Sequence, residues 1–451
     1  MADQDRSKMR AYDHKEKRPS ENIDVEEMRR VGKQQVEKKS STNPFKLLLS
    51  QWTIIRKPDF GDDEEIRWGK GKGEKLRLLD RPHLDFGLLI CVILLVMYGS
   101  IMVISAGEAI SLWESSNIFL FVRKQIRAVL MGVVAGVGCY FFGYKRAYKY
   151  STIIMIGALL SCLLVFVPGL GITRNGASRW ISLAGIEIQP SEILKFATIL
   201  FVSANLHRDS VTLCDPKATS RNKNTVLISY MLLILIIAGI LLLQPHTSAT
   251  IIILMCIVGM LFVGGMQTKI LFTVMAGAVA VGVPVIMLSD YRMQRIMTLL
   301  DPSSSAASSY QSTQALYALG SGGLLGKGLG NSIQKFSYLP EPTNDFILPI
   351  IGEELGLVGV LLVFVLFGYL LIRGFTIAAY SRDNFSGYMA FGITLLIGIQ
   401  FVFNVCVVTS LFPNTGITLP FISYGGSSMA IMCGMMGFLL SISRDALYDK
   451  I

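Results

Sequence analysis

After residue 83 the chain is organised by ten apolar runs, near 84–106, 128–143, 150–168, 191–206, 225–243, 247–265, 270–288, 346–372, 386–410 and 425–443. Backbone polar groups in hydrocarbon must pair within the segment, so runs of this length predict transmembrane helices. The pattern thus predicts an all-α, polytopic membrane protein with ten transmembrane helices over 83–445. The run at 191–206 is short, which suits a helix buried among the others. Residues 1–42 are rich in Lys, Glu, Asp, Gln and Ser with almost no apolar content, too little to offset the entropy of ordering, so disorder is expected there. In 43–58, Phe45, Leu48, Leu49, Trp52 and Ile55 recur at helical spacing behind Asn43 and Pro44. Two readings fit that segment: an interfacial helix on the cytoplasmic leaflet, helped by Lys46, Arg56 and Lys57, or a short helix packing on a partner or on this chain.

Composition agrees with the pattern. Of 451 residues, 52% are hydrophobic and 16% charged, and the mean hydropathy is +0.51, far too apolar for a soluble protein of this length. The formal net charge of +10 raises nucleic acid as a partner, but about half of all Lys and Arg fall in the first 82 residues, mixed with nearly as many acids. A basic tail beside a bilayer meets anionic lipid, so the membrane and not nucleic acid is the expected partner. Seven scattered cysteines with no C-x-x-C and no histidine cluster favour neither disulfides nor zinc. The first twenty residues lack an apolar core, so no cleavable signal peptide is expected.

Basic residues fall on alternate loops: Lys145, Arg146 and Lys149; Arg208, Lys217, Arg221 and Lys223; Lys269; Arg373 and Arg382; Arg444 and Lys450. The positive-inside rule then puts the 1–82 tail and the 446–451 terminus in the cytoplasm. The loops 107–127, 169–190, 244–246, 289–345 and 411–424 face outward, although Arg123, Lys124 and Arg127 oppose the bias locally.

Five polar motifs land on that outer side. In NGASRWISLAGIEIQPSEILK, Asn175 to Lys195, the Arg179 fork suits phosphate and Trp180 offers a flat face for a sugar ring; an interfacial anchor is the plainer reading. Glu192 and Lys195, three apart on a helix, form a natural pair at its mouth. In QPHTSAT, Gln244 to Thr250, His246 either handles protons or metal or is a hydrogen-bonded structural group. The 289–345 loop carries Asp301, a Ser-rich stretch and Gly320, Gly322, Gly323, Gly326, Gly328 and Gly330 beside Lys327 and Lys335. It either cradles a phosphate or is a flexible loop; it is no P-loop, lacking G-x-x-x-x-G-K-[ST] and a preceding strand.

The fourth motif, YLPEPTNDFILPIIGEELG, Tyr338 to Gly356, sets Asp345 at the border of an apolar run, with Glu353 and Glu354 inside it. Carboxylates are costly in hydrocarbon and face protein or a watery cavity, so they mark candidate sites. On an ideal helix Glu353 lies about 80° round from Asp345 and roughly 12 Å deeper, and Glu354 about 180° round. Asp345 either caps the following helix, a role worth about 1 kcal/mol, or performs chemistry, and the two are compatible. In the fifth, PNTGITLPFISYGGSS, Pro413 to Ser428, paired glycines and serines let backbone approach ligand or backbone.

Together GASRWISL with QPSEILK, SGGLLGKGLGNS, YLPEPTNDF with IGEELGLVG, and TGITLPFISYGGSS, in this order, closely resemble the SEDS family of cell-wall polymerases, represented by FtsW, RodA and SpoVE, over about residues 84–443. The resemblance implies the SEDS fold and a peptidoglycan glycosyltransferase that polymerises lipid II on the outer face of the cytoplasmic membrane. The TNDF match makes Asp345 the implied essential carboxylate. Arg179, Trp180, Gln189, Ser191, Glu192, Lys195, Lys327, Glu353, Ser423 and Tyr424 lie within the matching motifs as candidate substrate-binding residues. Arg179, Lys195, Lys327 or a divalent cation, Mg or Mn, are candidates for stabilising the departing undecaprenyl pyrophosphate; no organic cofactor is expected. The implied partners are lipid II, a class B penicillin-binding protein that supplies transpeptidation, and other division or elongation proteins.

Two positions depart from the common pattern. His246 and Ser248-Ala249-Thr250 stand where many members carry Gln-Pro-Asp and a following Gly-Thr, and Leu348 and Pro349 stand where many carry Phe-Ala. The TGITLPFISYGGSS form and the long tail favour the FtsW and SpoVE branch, serving division or sporulation, over RodA and elongation. Two other classes stay open: a lipid II flippase with Glu353, Glu354 and Lys195 along its path, and a non-catalytic scaffold that docks through its tail.

Overall fold

The computed structural model describes residues 84–115, 119–174, 177–183, 186–214, 220–266, 307–336 and 338–446, with isolated positions between 272 and 297. The expected tail at 1–82 with its 43–58 helix, nearly all of the 270–288 run, Asp301 and residues 447–451 lie outside the described residues.

The described chain is a helical bundle: α1 (Phe86–Ser115), α2 (Leu120–Phe142), α3 (Tyr144–Leu164), α4 (Pro190–Cys214), α5 (Ser220–Leu243), α6 (Thr247–Val263), α7 (Ala307–Ser321), α8 (Ile347–Ala379), α9 (Asn384–Val408) and α10 (Gly426–Asp445). Six of these are long and apolar enough to cross a membrane: α1, α2, α3, α8, α9 and α10. Apolar stretches of 10–17 residues lie in α5 and α6. The short run at 191–206 is the N-terminal part of a 25-residue helix, α4, whose Glu192 lies in its first turn.

Polar residues that end an apolar run in the sequence remain helical where protein receives them. The predicted outer loop 107–127 is mostly helix, because α1 continues to Ser115 and α2 starts at Leu120; Ser105 donates to Glu354, and Glu108 receives Lys335. The loop 169–190 folds as a small antiparallel sheet of β1 (Gly171–Arg174), β2 (Ala177–Leu183) and β3 (Ile186–Ile188) in the order β1-β2-β3. Its register places Ile172 opposite Trp180 and Ile181 opposite Ile188. The large 289–345 loop contains α7.

Small residues set the tightest helix contact. Gly132 and Gly136, one turn apart on α2, face Cys433 on α10, and a Cβ built at Gly136 would sit 3.1 Å from the Cys433 carbonyl oxygen. A Cβ at Gly437 would collide with the Gly136 carbonyl. In lipid, close backbone approach of this kind drives helix association through packing.

α8 is interrupted. Gly356 adopts φ 67°, ψ −162° inside it, a conformation essentially restricted to glycine. The break frees backbone groups that hydrocarbon cannot satisfy, and the Gly-rich loop after α7 takes them up. Lys327 N donates to Glu353 O at 3.0 Å and Gly328 N to Glu354 O at 2.9 Å, while Leu357 N and Val358 N donate to Gly323 O and Leu324 O at 2.9 and 3.2 Å. The glycines are required by contact: a Cβ at Gly326 would overlap the Glu354 carbonyl.

Candidate active site

Asp345 stands just ahead of α8, half-buried. It is not the cap of that helix. Phe346 holds the N-cap position and makes no side-chain capping bond, so the carboxyl is left for other work. Asn404 of α9 donates through Nδ2 to the Asp345 backbone oxygen at 2.9 Å and to Ile417 O at 2.7 Å, tying the aspartate's segment to the 413–425 loop. Ser423 Oγ donates to Asn344 O at 2.6 Å and accepts from Leu419 N at 2.8 Å, and Tyr424 N donates to Thr343 O at 2.9 Å. Gly416, at φ 67°, approaches the carboxylate so closely that a built Cβ would lie 3.3 Å from Asp345 Oδ2.

Burial pushes the Asp345 carboxyl up to about 7, with help from the nearby Glu341 carboxylate and against the pull of Arg295 and Arg179. A carboxyl poised near neutrality suits reversible proton transfer. The two arginines come from distant elements. Arg179 on β2 donates to Pro245 O, and Arg295 donates to Asn414 O. Asn414 in turn donates to Gln311 of α7 at 2.5 Å, and Gln311 to Pro340 O at 3.2 Å. The small sheet carries Arg179 to Pro245, in the turn between α5 and α6.

Behind Arg179 lies a buried polar layer. Gln189 N donates to Ser427 Oγ at 3.3 Å, and its Nε2 lies 3.5 Å from His246 Nε2. Burial, then Arg179 and Lys195, pull the His246 imidazole down to about 3, so it is neutral at physiological pH. Lys195 and Glu192 pair at 2.6 Å with side chains only 4% and 7% exposed. Ser191 Oγ, Glu192 Oε2 and His246 Nδ1 are buried with no hydrogen-bond partner among the described residues. Trp180 is half-buried on β2.

Glu353 and Lys327 do not join this group. They bind each other at 2.6 Å, and Glu353 also accepts from Ser332 Oγ at 2.5 Å and from the backbone N–H groups of Ile333 and Gln334 at 3.2 Å each. Glu354 accepts from Ser105 at 2.8 and 2.7 Å and lies 3.5 Å from the fully buried Lys335. That network fastens the Gly-rich loop to α1 and α8. The sequence motifs therefore separate into an Asp345 group, with Arg179, Gln189 and the bracing Ser423 and Tyr424, and a latch made of Lys327 and Glu353.

Arg295, Glu341 and Asn404 were not singled out by the motifs. Asn404 had a readable signal, an amide in the middle of the apolar 386–410 run. Arg295 had none, since its partner carbonyl lies 119 residues away. Among the described residues no group of three or more His, Cys, Asp or Glu side chains converges.

The family described as "Cell cycle protein", which unites FtsW, RodA and SpoVE, matches residues 86–448. The chain is 35% identical to the "Probable peptidoglycan glycosyltransferase FtsW" of Geobacter metallireducens over 374 residues, covering 82% of this chain and 97% of that protein. It is 37% identical to "Stage V sporulation protein E" of Bacillus subtilis over 368 residues, 81% of this chain and 98% of that one. Among solved structures, a chain of a peptidoglycan synthase complex aligns with TM-score 0.65 and 26% identity, covering 81% and 99% of the two chains. The rod shape determining protein RodA of Thermus thermophilus aligns with TM-score 0.57 and 26% identity, covering 81% and 98%. With matches spanning its whole helical bundle, the chain belongs to the FtsW, RodA and SpoVE family of multi-pass membrane proteins.

Proposed function

We infer that this protein is a peptidoglycan glycosyltransferase that polymerises lipid II, with Asp345 as general base on the outer face of the membrane and both termini in the cytoplasm. The observation that carries the reading is the half-buried Asp345 carboxyl, raised to about 7 and flanked by Arg179 and Arg295. The acceptor's GlcNAc 4-hydroxyl oxygen attacks the anomeric carbon of the donor's MurNAc and passes its proton to Asp345 as the bond to pyrophosphate breaks. Conversion of an α-linked pyrophosphate into a β-1,4 bond is an inversion and needs no covalent enzyme intermediate. Arg179 and Arg295 supply positive charge where the undecaprenyl pyrophosphate departs. A Mg or Mn ion would enter with the pyrophosphate. A class B penicillin-binding protein is the proposed partner, supported by the likeness to a chain of a synthase complex.

A transport path through Glu353, Glu354 and Lys195 has little to recommend it, because each of these groups is spent in a buried ion pair. Purified protein is given fluorescent lipid II, with and without the partner and with Mg²⁺ or Mn²⁺. The expected result is glycan polymer from the wild type and a loss of at least about a hundredfold in Asp345→Asn. Wild type that carries lipid II across liposomes but never makes glycan overturns the reading in favour of transport. Full rescue of growth by Asp345→Asn when the chromosomal copy is depleted overturns it in favour of a scaffold.

A further inference from the structure

We propose that Asn404 is a positioning residue for the reaction, holding the Asp345 backbone and the Gly416 turn in one register so that the carboxylate meets the arginines at a fixed distance. The proposal rests on the reading of Asp345 as the base.

Asn404 is fully buried in α9, yet its amide reaches out of the helix to two carbonyls from separate segments, Asp345 O and Ile417 O. Two carbonyl acceptors admit only the nitrogen end of the amide, so its orientation is fixed by chemistry. Both Nδ2 protons are then used, and Oδ1 is left buried with no partner among the described residues. An unsatisfied buried acceptor costs stability. Packing alone would be better served by Leu, so the amide marks a requirement other than stability.

The bridged residues explain the requirement. Ile417 follows Gly416, whose backbone lies against Asp345 Oδ2, and Arg295 is tied to Asn414 in the same loop. One amide therefore fixes the base and the loop that carries an arginine's anchor. The other braces, Ser423 on Asn344 and Tyr424 on Thr343, act on residues before the aspartate and leave its own carbonyl to Asn404. The charged groups facing Asp345 are Glu341, Arg295 and Arg179, and their distances to the carboxyl depend on this register.

The test compares Asn404→Leu, which removes both donors, and Asn404→Ser, which is too short to bridge both carbonyls, with Gln400→Leu as a control. Gln400 is another buried polar residue one turn earlier on α9. Lipid II polymerisation by the full-length protein is followed from pH 5 to 9, alongside melting temperature in detergent. The expected result for both Asn404 variants is a kcat lower by about tenfold to a hundredfold, with KM changed less than about twofold. The acid limb of the pH profile should move to lower pH, because a loosened carboxyl gains water. Gln400→Leu should alter melting without moving the limb. If Asn404→Leu does not fold, Asn404→Ser decides. Folded Asn404 variants with wild-type kcat and an unmoved limb overturn the proposal. Asp345→Asn run in parallel keeps the two ideas apart: full activity there defeats the base assignment itself, whatever Asn404 does.

Discussion

Lys327 and Glu353 meet at 2.6 Å across the seam where the Gly-rich loop repairs the break in α8, with the carboxylate 1% exposed and the ammonium 31% exposed. Removing the lysine would strand a buried carboxylate with two serine hydroxyls, Ser321 and Ser332, and two backbone N–H groups. Lys327→Met is expected to cost about 3 kcal/mol. Adding Glu353→Gln should cost less than the sum of the two single changes, because the stranded charge is gone. Melting curves for the two single variants and the double variant, in one detergent, check this.

The raised carboxyl of Asp345 gives activity and stability opposite pH trends. As a base it works when ionised, so polymerisation should rise through about pH 7 and level off above it. Folding runs the other way. The native state holds the proton more tightly than the unfolded chain, so stability falls as pH climbs from the ordinary aspartate value through about 7. Asp345→Asn should therefore melt higher than wild type at pH 8, with the gap closing as the pH is lowered to the ordinary aspartate value. A lower melting temperature for the variant at pH 8 would contradict the assignment.

His246 should be silent in that range. Burial, reinforced by Arg179 and Lys195, holds the imidazole down to about 3. His246→Gln should leave the acid limb near pH 7 where it is, even if the rate drops. A limb that vanishes in this variant would transfer the titration from Asp345 to the histidine.

Gly356 and Gly326 form a matched pair of backbone contacts. Gly356→Ala forces a Cβ into a conformation that costs about 1–3 kcal/mol and pushes against the Gly326 N–H. The expected outcome is a lower melting temperature and faster proteolysis of the 322–336 segment. Unchanged cleavage there would show that the seam tolerates a side chain.

Nine of the ten apolar runs coincide with helices among the described residues, because hydrocarbon imposes one rule on any long apolar segment. The candidate site was legible where a charge interrupts such a run, as at Asp345, or where a motif crowds polar residues together, as at Arg179 and Gln189. It was illegible where function depends on distance in the chain. Nothing local to Arg295 points to Asn414, and nothing local to Glu353 separates a latch from a ligand contact, since both predict a buried carboxylate beside a lysine. The β1-β2-β3 sheet was missed because its strands are as short as three residues. The break at Gly356 was missed because one glycine in a helical pattern carries no sign of its dihedral angles.

Lys335 reaches back to Glu108 across 227 residues. During synthesis α1 enters the membrane long before this lysine exists, so Glu108 must wait in water or against another group until most of the polypeptide has emerged. Closure of so distant a pair is slow and comes late. A nascent chain truncated before residue 335 would hold α1 to α6 yet lack both α8 to α10 and the lysine that fastens the Gly-rich loop to α1.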